Sequence, residues 1–266
     1  MPVITLTTEY GYRDPAVGII KGNILRAAPA SVIVDITHDI EAYNVTQAAY
    51  VLQSAYRHFP GGSIHLTGVD TVRREGGKYL LAKYDGHFFI GYEKALFWLL
   101  DSADTALYEI GAGYDGVFPG GELFAGTAAA LYKGTPPERL GTALDPYSGW
   151  KRNIQSVFSE KKIITTIIHT DRYGNLVTDL HREVFEKYAK GRKYTLFVRS
   201  FTINRIGRTY KPGTGAGKVK DGSLVALFNS AGLMEIAIYN ANPAMVGGAA
   251  SLVGLKAGDT VRIEFE

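Results

Sequence analysis

VITLTTEYGYRDPAVGIIKGNILRAAPASVIVDITHD, residues 3–39, reads as a strand, a helix and a second strand. Residues 3–7 form a short apolar and β-branched run, which suits a pleated buried element. After a turn containing Gly11, residues 16–27 place Val17, Ile20, Ile24 and Ala27 at helical spacing, and Pro29 stops the pattern. Residues 31–36 are again rich in β-branched side chains. This succession builds a sheet with crossover helices. The fold class predicted is therefore an α/β N-terminal domain, a Rossmann-like sheet with crossover helices, followed by a small C-terminal β-barrel domain.

Working outward, residues 44–59 read as a helix with Asn44 as its cap and Pro60-Gly61-Gly62 as its stop. Residues 63–69 form a third strand that delivers Asp70 to its carboxyl end. RREGGK, residues 73–78, reads as a hairpin tip leading into a strand over 79–84. A short strand follows at 88–90, a short helix at 95–100, and a helix within 118–133. Three prolines and several glycines interrupt the periodicity between 134 and 149. The domains expected are 1–150, a linker at 151–161, and 162–266. In the last of these, strands at 163–169, 194–199, 223–228, 234–238 and 260–265 surround one helix at 182–189, the texture of a small barrel or sandwich.

Composition narrows the function classes. The chain has 266 residues, 46% of them hydrophobic, enough for a sizeable core. Its 29 basic and 26 acidic residues leave +3, far from the dense basic stripe that phosphate-backbone binding requires, so nucleic acid is not an expected partner. The absence of cysteine excludes disulfides, thiolate metal sites and cysteine nucleophiles together. No apolar run approaches the roughly 20 residues of a membrane span. The expectation is a soluble, unprocessed, cytoplasmic protein with no membrane partner.

Ligands of open α/β sheets bind beyond the carboxyl ends of the strands. Those positions are polar here: Glu9 and Asp14 after the first strand, His38 and Asp39 after the second, Asp70 after the third, and Asp171 with Asn175 after the strand that opens the second domain. Each alone reads as a turn former or cap, and only the group signals a site. GTGAGK, residues 213–218, is followed by a strand pattern, so it lacks the helix N-terminus that a phosphate loop requires. The six histidines are scattered, and His38 reads as a structural hydrogen-bonding residue, so no metal site is expected. Tyr43 and Tyr173 lie in turn-like segments, where an aromatic face could stack on a purine or meet a cation.

These segments resemble, in order and over nearly the whole chain, the S-adenosyl-L-methionine (SAM) hydroxide adenosyltransferases, or SAM hydrolases, with their fluorinase and chlorinase relatives. TEYGYRDPAVGIIKG (8–22) is similar to TDFGxxDxYVGxxKG, VDITH (34–38) is shared, and VTQAAYVL (45–52) matches VxQAAYxL. FPGGSIHLTGVD ends at Asp70 where the family has a VDPGVG loop. DRYGNLVTD (171–179) resembles DxFGNLxTN, and NSAGLMEIA (229–237) resembles NSxGxLEIA. The resemblance implies an α/β domain and a β-barrel assembled as a homotrimer, with SAM held between the first domain of one subunit and the second domain of its neighbour.

It further implies roles. Glu9 stands where an aspartate holds the ribose hydroxyls, Asp14 lies near the methionine end, and Tyr43 lies near the ribose. Asp171 matches a carboxylate at the ammonium group, Ser230 a contact to the methionine carboxylate, and Tyr173 with Asn175 the stacking ring and the amide at the adenine edge. Asp70 matches the aspartate that orders the attacking water. Its two family companions do not carry over: Gly77 stands at the arginine position, with Arg73, Arg74 and Lys78 as nearby cations, and Pro119 of FPGGELF stands at the histidine of FHGRDxF. GYEK (91–94) replaces PDNG. The function implied is displacement of L-methionine from SAM by water to give adenosine, with a catalytically silent SAM- or adenosine-binding protein as the alternative. SAM would be substrate or ligand, and no other cofactor is implied. The charged TVRREGGK loop offers no equivalent of a halide pocket.

Overall fold

The computed structural model describes residues 2–99, 105–145, 156–211, 220–242 and 247–266. The chain divides into two compact units, Met1–Arg152 and Asn153–Glu266.

In the first unit the elements are β1 (Ile4–Thr8), α1 (Ala16–Ala27), β2 (Ile33–Thr37), α2 (Val45–Ala55), β3 (Ile64–Gly68), β4 (Tyr79–Tyr84), β5 (His87–Tyr92), α3 (Glu93–Leu99), β6 (Ala106–Ile110), α4 (Ala125–Tyr132) and β7 (Thr142–Leu144). They form a seven-stranded sheet in the order β2-β1-β3-β5-β4-β6-β7. The first four in that order are parallel, and β4, β6 and β7 continue antiparallel. The α1 periodicity is realised: Val17, Ile20 and Ile24 are buried. Ile20 and Ile24 pack with Phe124, Ala125 and Ala128 on Ile4, Leu6, Ile64, Leu66 and Leu81. Leu80 and Ala82 point to the opposite face, where Leu52 of α2 and Leu96 of α3 cover them with Phe89 and Leu107. The two-residue period of β4 thus feeds two apolar layers, and helices cover both faces of the sheet. Asn44 caps α2 as expected, its Oδ1 accepting from the Gln47 amide at 2.9 Å.

Residues 73–78 are not a hairpin tip. β3 pairs with β1 and β5, and the hairpin joins β4 to β5 through Asp85 and Gly86, both with positive φ. Asp-Gly is a strong two-residue hairpin signal, whereas RREGGK belongs to a longer connection that leaves the carboxyl end of β3. The segment expected as one helix within 118–133 opens with a π-helical turn, Gly120–Phe124, before α4. Neither β6 nor β7 was anticipated.

The second unit holds β8 (Val157–Phe158), β9 (Lys162–Thr170), β10 (Leu176–His181), α5 (Arg182–Ala189), β11 (Tyr194–Val198), β12 (Phe201–Ile203), β13 (Ile206–Gly207), β14 (Leu224–Phe228), β15 (Leu233–Ile238), α6 (Ala249–Val253) and β16 (Thr260–Phe265). Eight strands run in the order β12-β11-β16-β9-β10-β15-β14-β13, and β8 pairs with β9. β12 returns beside β14, so the sheet curls into a nearly closed barrel. Ile163, Ile167, Leu176, Leu196, Met234, Ile236 and Ile263 fill it, with Phe185 and Ala189 of α5 packed against them. GTGAGK lies outside the described residues.

Candidate functional site

At the carboxyl ends of β1 and β3, three of the expected residues meet. Glu9 directly follows β1, and its carboxylate accepts two main-chain hydrogen bonds, Oε1 from the Asp70 amide at 2.9 Å and Oε2 from the Tyr43 amide. Both donors are left-handed, with φ of 48° at Asp70 and 64° at Tyr43. Such a conformation costs a side-chain-bearing residue on the order of 1 kcal/mol and persists where neighbouring contacts enforce it. Tyr43 is exposed and Asp70 is buried. The Asp70 carboxylate takes both arms of the Arg74 guanidinium, Oδ1 from Nη2 at 2.9 Å and Oδ2 from Nη1 at 3.1 Å. Parallel charge-assisted bonds of this kind fix orientation as well as charge.

Arg74 is thus the cation that reaches Asp70. Arg73 turns away to the Gly77 carbonyl at 3.0 Å and stacks on Tyr79, while Lys78 pairs with Glu109 at 2.9 Å. With this loop conformation a side chain at position 77 would displace Tyr92, because a Cβ there would lie 2.0 Å from the Tyr92 hydroxyl. The loop is further held by the Tyr79 hydroxyl, which donates to the Thr71 carbonyl at 3.2 Å.

Pro119 is buried at the start of the π-helical turn and offers no donor. A hydroxyl brought to this region is that of Tyr10, 3.2 Å from Thr71 Oγ1 and 3.1 Å from the position a Cβ on Gly120 would take. Burial, with the nearby Glu9 charge, raises the Tyr10 pKa despite the Thr71 contact. The sequence reading passed over this pair. Its signal was a double exchange, TEYG for TDFG together with VDTV for VDPG, which adds two hydroxyls at once.

A second arrangement looks chemical and is not. Thr8 Oγ1 lies 2.7 Å from His38 Nδ1, and His38 Nε2 lies 3.1 Å from Asp35 Oδ1, the order of a nucleophilic triad. Thr8 and His38 are 0% and 1% exposed, so no substrate reaches the hydroxyl. Burial works to raise the Asp35 pKa, but hydrogen bonds from Lys21, His38 and Tyr12 outweigh it and hold the pKa below the ordinary value. The group ties the end of β1 to the end of β2. Asp14 is exposed in the turn before α1, and among the described residues no hydrogen bond joins it to the Glu9 cluster.

In the second unit, residues 171–175 connect β9 to β10. Asp171 Oδ1 accepts from the Tyr173 and Asn175 amides, both at 2.8 Å, and Oδ2 accepts from Asn175 Nδ2 at 3.0 Å. The Tyr173 ring is exposed. Gly174, at φ 73°, packs directly on Gly248, where a Cβ would lie 2.2 Å from the Tyr173 carbonyl oxygen. Ser230 is exposed in the turn between β14 and β15, where Asn229 Oδ1 accepts from the Ala231 and Leu233 amides at 3.0 and 3.2 Å. Registers place the two turns at opposite ends of the paired strands: Leu176 faces Ile236, whereas His181 faces Leu233. At about 3.3 Å per residue they are roughly 15 Å apart or more. Asp171, Tyr173 and Asn175 therefore form one group and Ser230 stands apart from it.

The arrangement is that of an α/β unit with a buried acid at a strand end and a barrel with a self-bonded polar loop. Residues 4–141 match the SAM hydroxide adenosyltransferase N-terminal domain and residues 165–262 the SAM hydroxide adenosyltransferase C-terminal domain. The chain belongs to the SAM hydroxide adenosyltransferase family. It is similar to an (R)-S-adenosyl-L-methionine hydrolase of Thermus thermophilus, 28% identical over 99% of this chain and 100% of the relative. It is also related to a fluorinase of Nocardia brasiliensis, 23% identical over 99% and 97%. A solved structure of an uncharacterized conserved protein from Thermotoga maritima has a TM-score of 0.79 at 26% identity, covering 98% of this chain and 99% of that one.

Proposed function

We propose that this protein hydrolyses SAM to adenosine and L-methionine, with Asp70 as its catalytic carboxylate. The observation that carries the reading is the bidentate Asp70–Arg74 pair, which supplies from a new position the carboxylate–guanidinium couple that Gly77 cannot provide. Water attacks the ribose carbon attached to sulfur in line with the C–S bond. That bond's electron pair passes to sulfur, methionine leaves as a neutral thioether, and the water proton passes to Asp70 or solvent. A sulfonium needs no acid to leave. The work is therefore alignment, worth up to about 7–11 kcal/mol, more than the roughly 3–5 kcal/mol that a positioned base supplies. Such weighting is consistent with turnover that survives the loss of the histidine.

For the ligand, Tyr173 and Asn175 would take the adenine and Ser230 the methionine carboxylate. Asp171, with three bonds inside its own loop and at the far end of β10 from Ser230, is assigned to holding that loop instead of to the ammonium group. Asp14 is left as the methionine-end carboxylate. The two units would supply one site within the homotrimer that the resemblance implies. Pro119, which brings no titratable group, favours the second reading, a SAM or adenosine receptor without turnover.

Long incubation with SAM and chromatography for both products decides between them, with calorimetry for binding. We expect adenosine and methionine in equal amounts, and a rate reduced about 100-fold in Asp70→Asn with affinity retained. Binding without product above the buffer control would establish the receptor, and absence of binding would remove both readings.

A further inference from the structure

Glu9 turns both oxygens of its carboxylate to the protein main chain. Each oxygen faces a main-chain amide, and the two amides come from different loops, after β3 at Asp70 and before α2 at Tyr43. Both donors are left-handed without being glycine. A single acceptor group thereby ties together two backbone conformations that side-chain-bearing residues disfavour. An aspartate at position 9 would be one methylene too short to meet both amides from the same backbone. The longer side chain therefore fits the bridge better than it fits a simple substitute for a ribose-binding aspartate. The Asp70 backbone held in this way aims its carboxylate at Arg74.

We propose that Glu9 is a positioning residue, a staple that fixes Asp70 and Tyr43, and that it does not serve as the ribose-holding group which the family resemblance assigns to this position. The proposal deepens the SAM-hydrolase reading and rests on it for its catalytic consequence. Recognition of the ribose hydroxyls passes to other groups, and the requirement at position 9 is for two acceptor oxygens at glutamate length. Glu9→Gln replaces one acceptor by a donor that opposes an amide, and Glu9→Asp keeps the charge and removes the reach.

The full-length protein and these two variants are compared by three measurements. Amide hydrogen exchange at Tyr43 and Asp70, without ligand, is expected to accelerate at least tenfold in both variants. Calorimetry with adenosine and 2′-deoxyadenosine is expected to show the two ligands losing affinity by the same factor. Steady-state turnover of SAM is expected to lose more in kcat than it gains in KM, since Asp70 is displaced while the purine contacts stay. Unchanged exchange at both amides, or a loss for adenosine at least fivefold larger than for 2′-deoxyadenosine, would overturn the staple. Should the unaltered protein bind neither nucleoside nor SAM, the SAM reading falls on that result, and the exchange measurement alone decides the role of Glu9. If one variant does not fold, the other supplies all three comparisons.

Discussion

At the scale of single residues, a carboxylate has about four acceptor sites on its two oxygens, and those already filled limit what it can offer a ligand: Asp70 has two filled by Arg74, Asp171 three by its own loop. Asp171 has both oxygens engaged by Tyr173 and Asn175, and so organises the loop that presents them. Asp171→Ala is therefore expected to weaken adenosine and SAM alike, by about tenfold each, the size of one lost charged hydrogen bond. Calorimetry with both ligands checks this, and a loss confined to SAM would return Asp171 to the ammonium group. Asp70 was singled out from sequence as one of a group of acids at strand ends and by the resemblance, since alone an acid in that place reads as a turn former. Arg74 was not. Spacing pointed at Gly77 and left three cations equivalent, and what singles out Arg74 is that Arg73 is taken up by the Gly77 carbonyl and the Tyr79 ring and Lys78 by Glu109, partners distant in sequence or on other elements. The use of Glu9 was equally hidden, because its partners are main-chain amides distant in sequence.

At the scale of elements, local periodicity fixed α1, α2 and most strands, while pairing depended on contacts that no window contains. The placement of β3 shows this, and it has an electrostatic consequence. His65 of β3 is fully buried, with Nδ1 2.7 Å from Thr5 Oγ1 and Nε2 3.1 Å from His87 Nδ1 of β5. Tyr56, Phe59 and Phe89 pack around the pair. Burial first, and the neighbouring His87 second, push the His65 pKa down to about 3 from the ordinary 6.5. His87 is lowered as well, chiefly by burial, with Asp85 opposing. Between those values for His65 the unfolded chain binds a proton that the folded chain refuses. The stability associated with the neutral ring is complete above pH 6.5 and is lost as the pH falls toward 3. Well inside the window one such proton is worth about 1.4 kcal/mol per pH unit. Urea unfolding from pH 7 to pH 4 is expected to be less steeply acid-dependent in His65→Gln than in the unaltered protein. Parallel curves would show that the pair protonates without unfolding.

At the scale of the whole molecule, the groups proposed to act on SAM are divided between two compact units, Asp14 and Asp70 in one and Tyr173, Asn175 and Ser230 in the other. The barrel and the sheet were both legible from the change in texture along the chain. Assembly was not, because a closed symmetric interface leaves no period in a sequence, and the homotrimer comes from the resemblance alone. The proposed assembly is open to complementation between defective subunits. Asp70→Asn spoils only the first unit's contribution, and Asn175→Ala only the second's. If each site draws its two halves from different subunits, an equal mixture dissociated and reassembled at random contains intact sites wherever the first unit of an Asn175→Ala subunit meets the second unit of an Asp70→Asn subunit. That is roughly a quarter of all sites, and the mixture should recover about that fraction of wild-type turnover per subunit. Sites built within one subunit would leave the mixture no more active than the average of its two components, because every subunit would then carry a lesion in its own site.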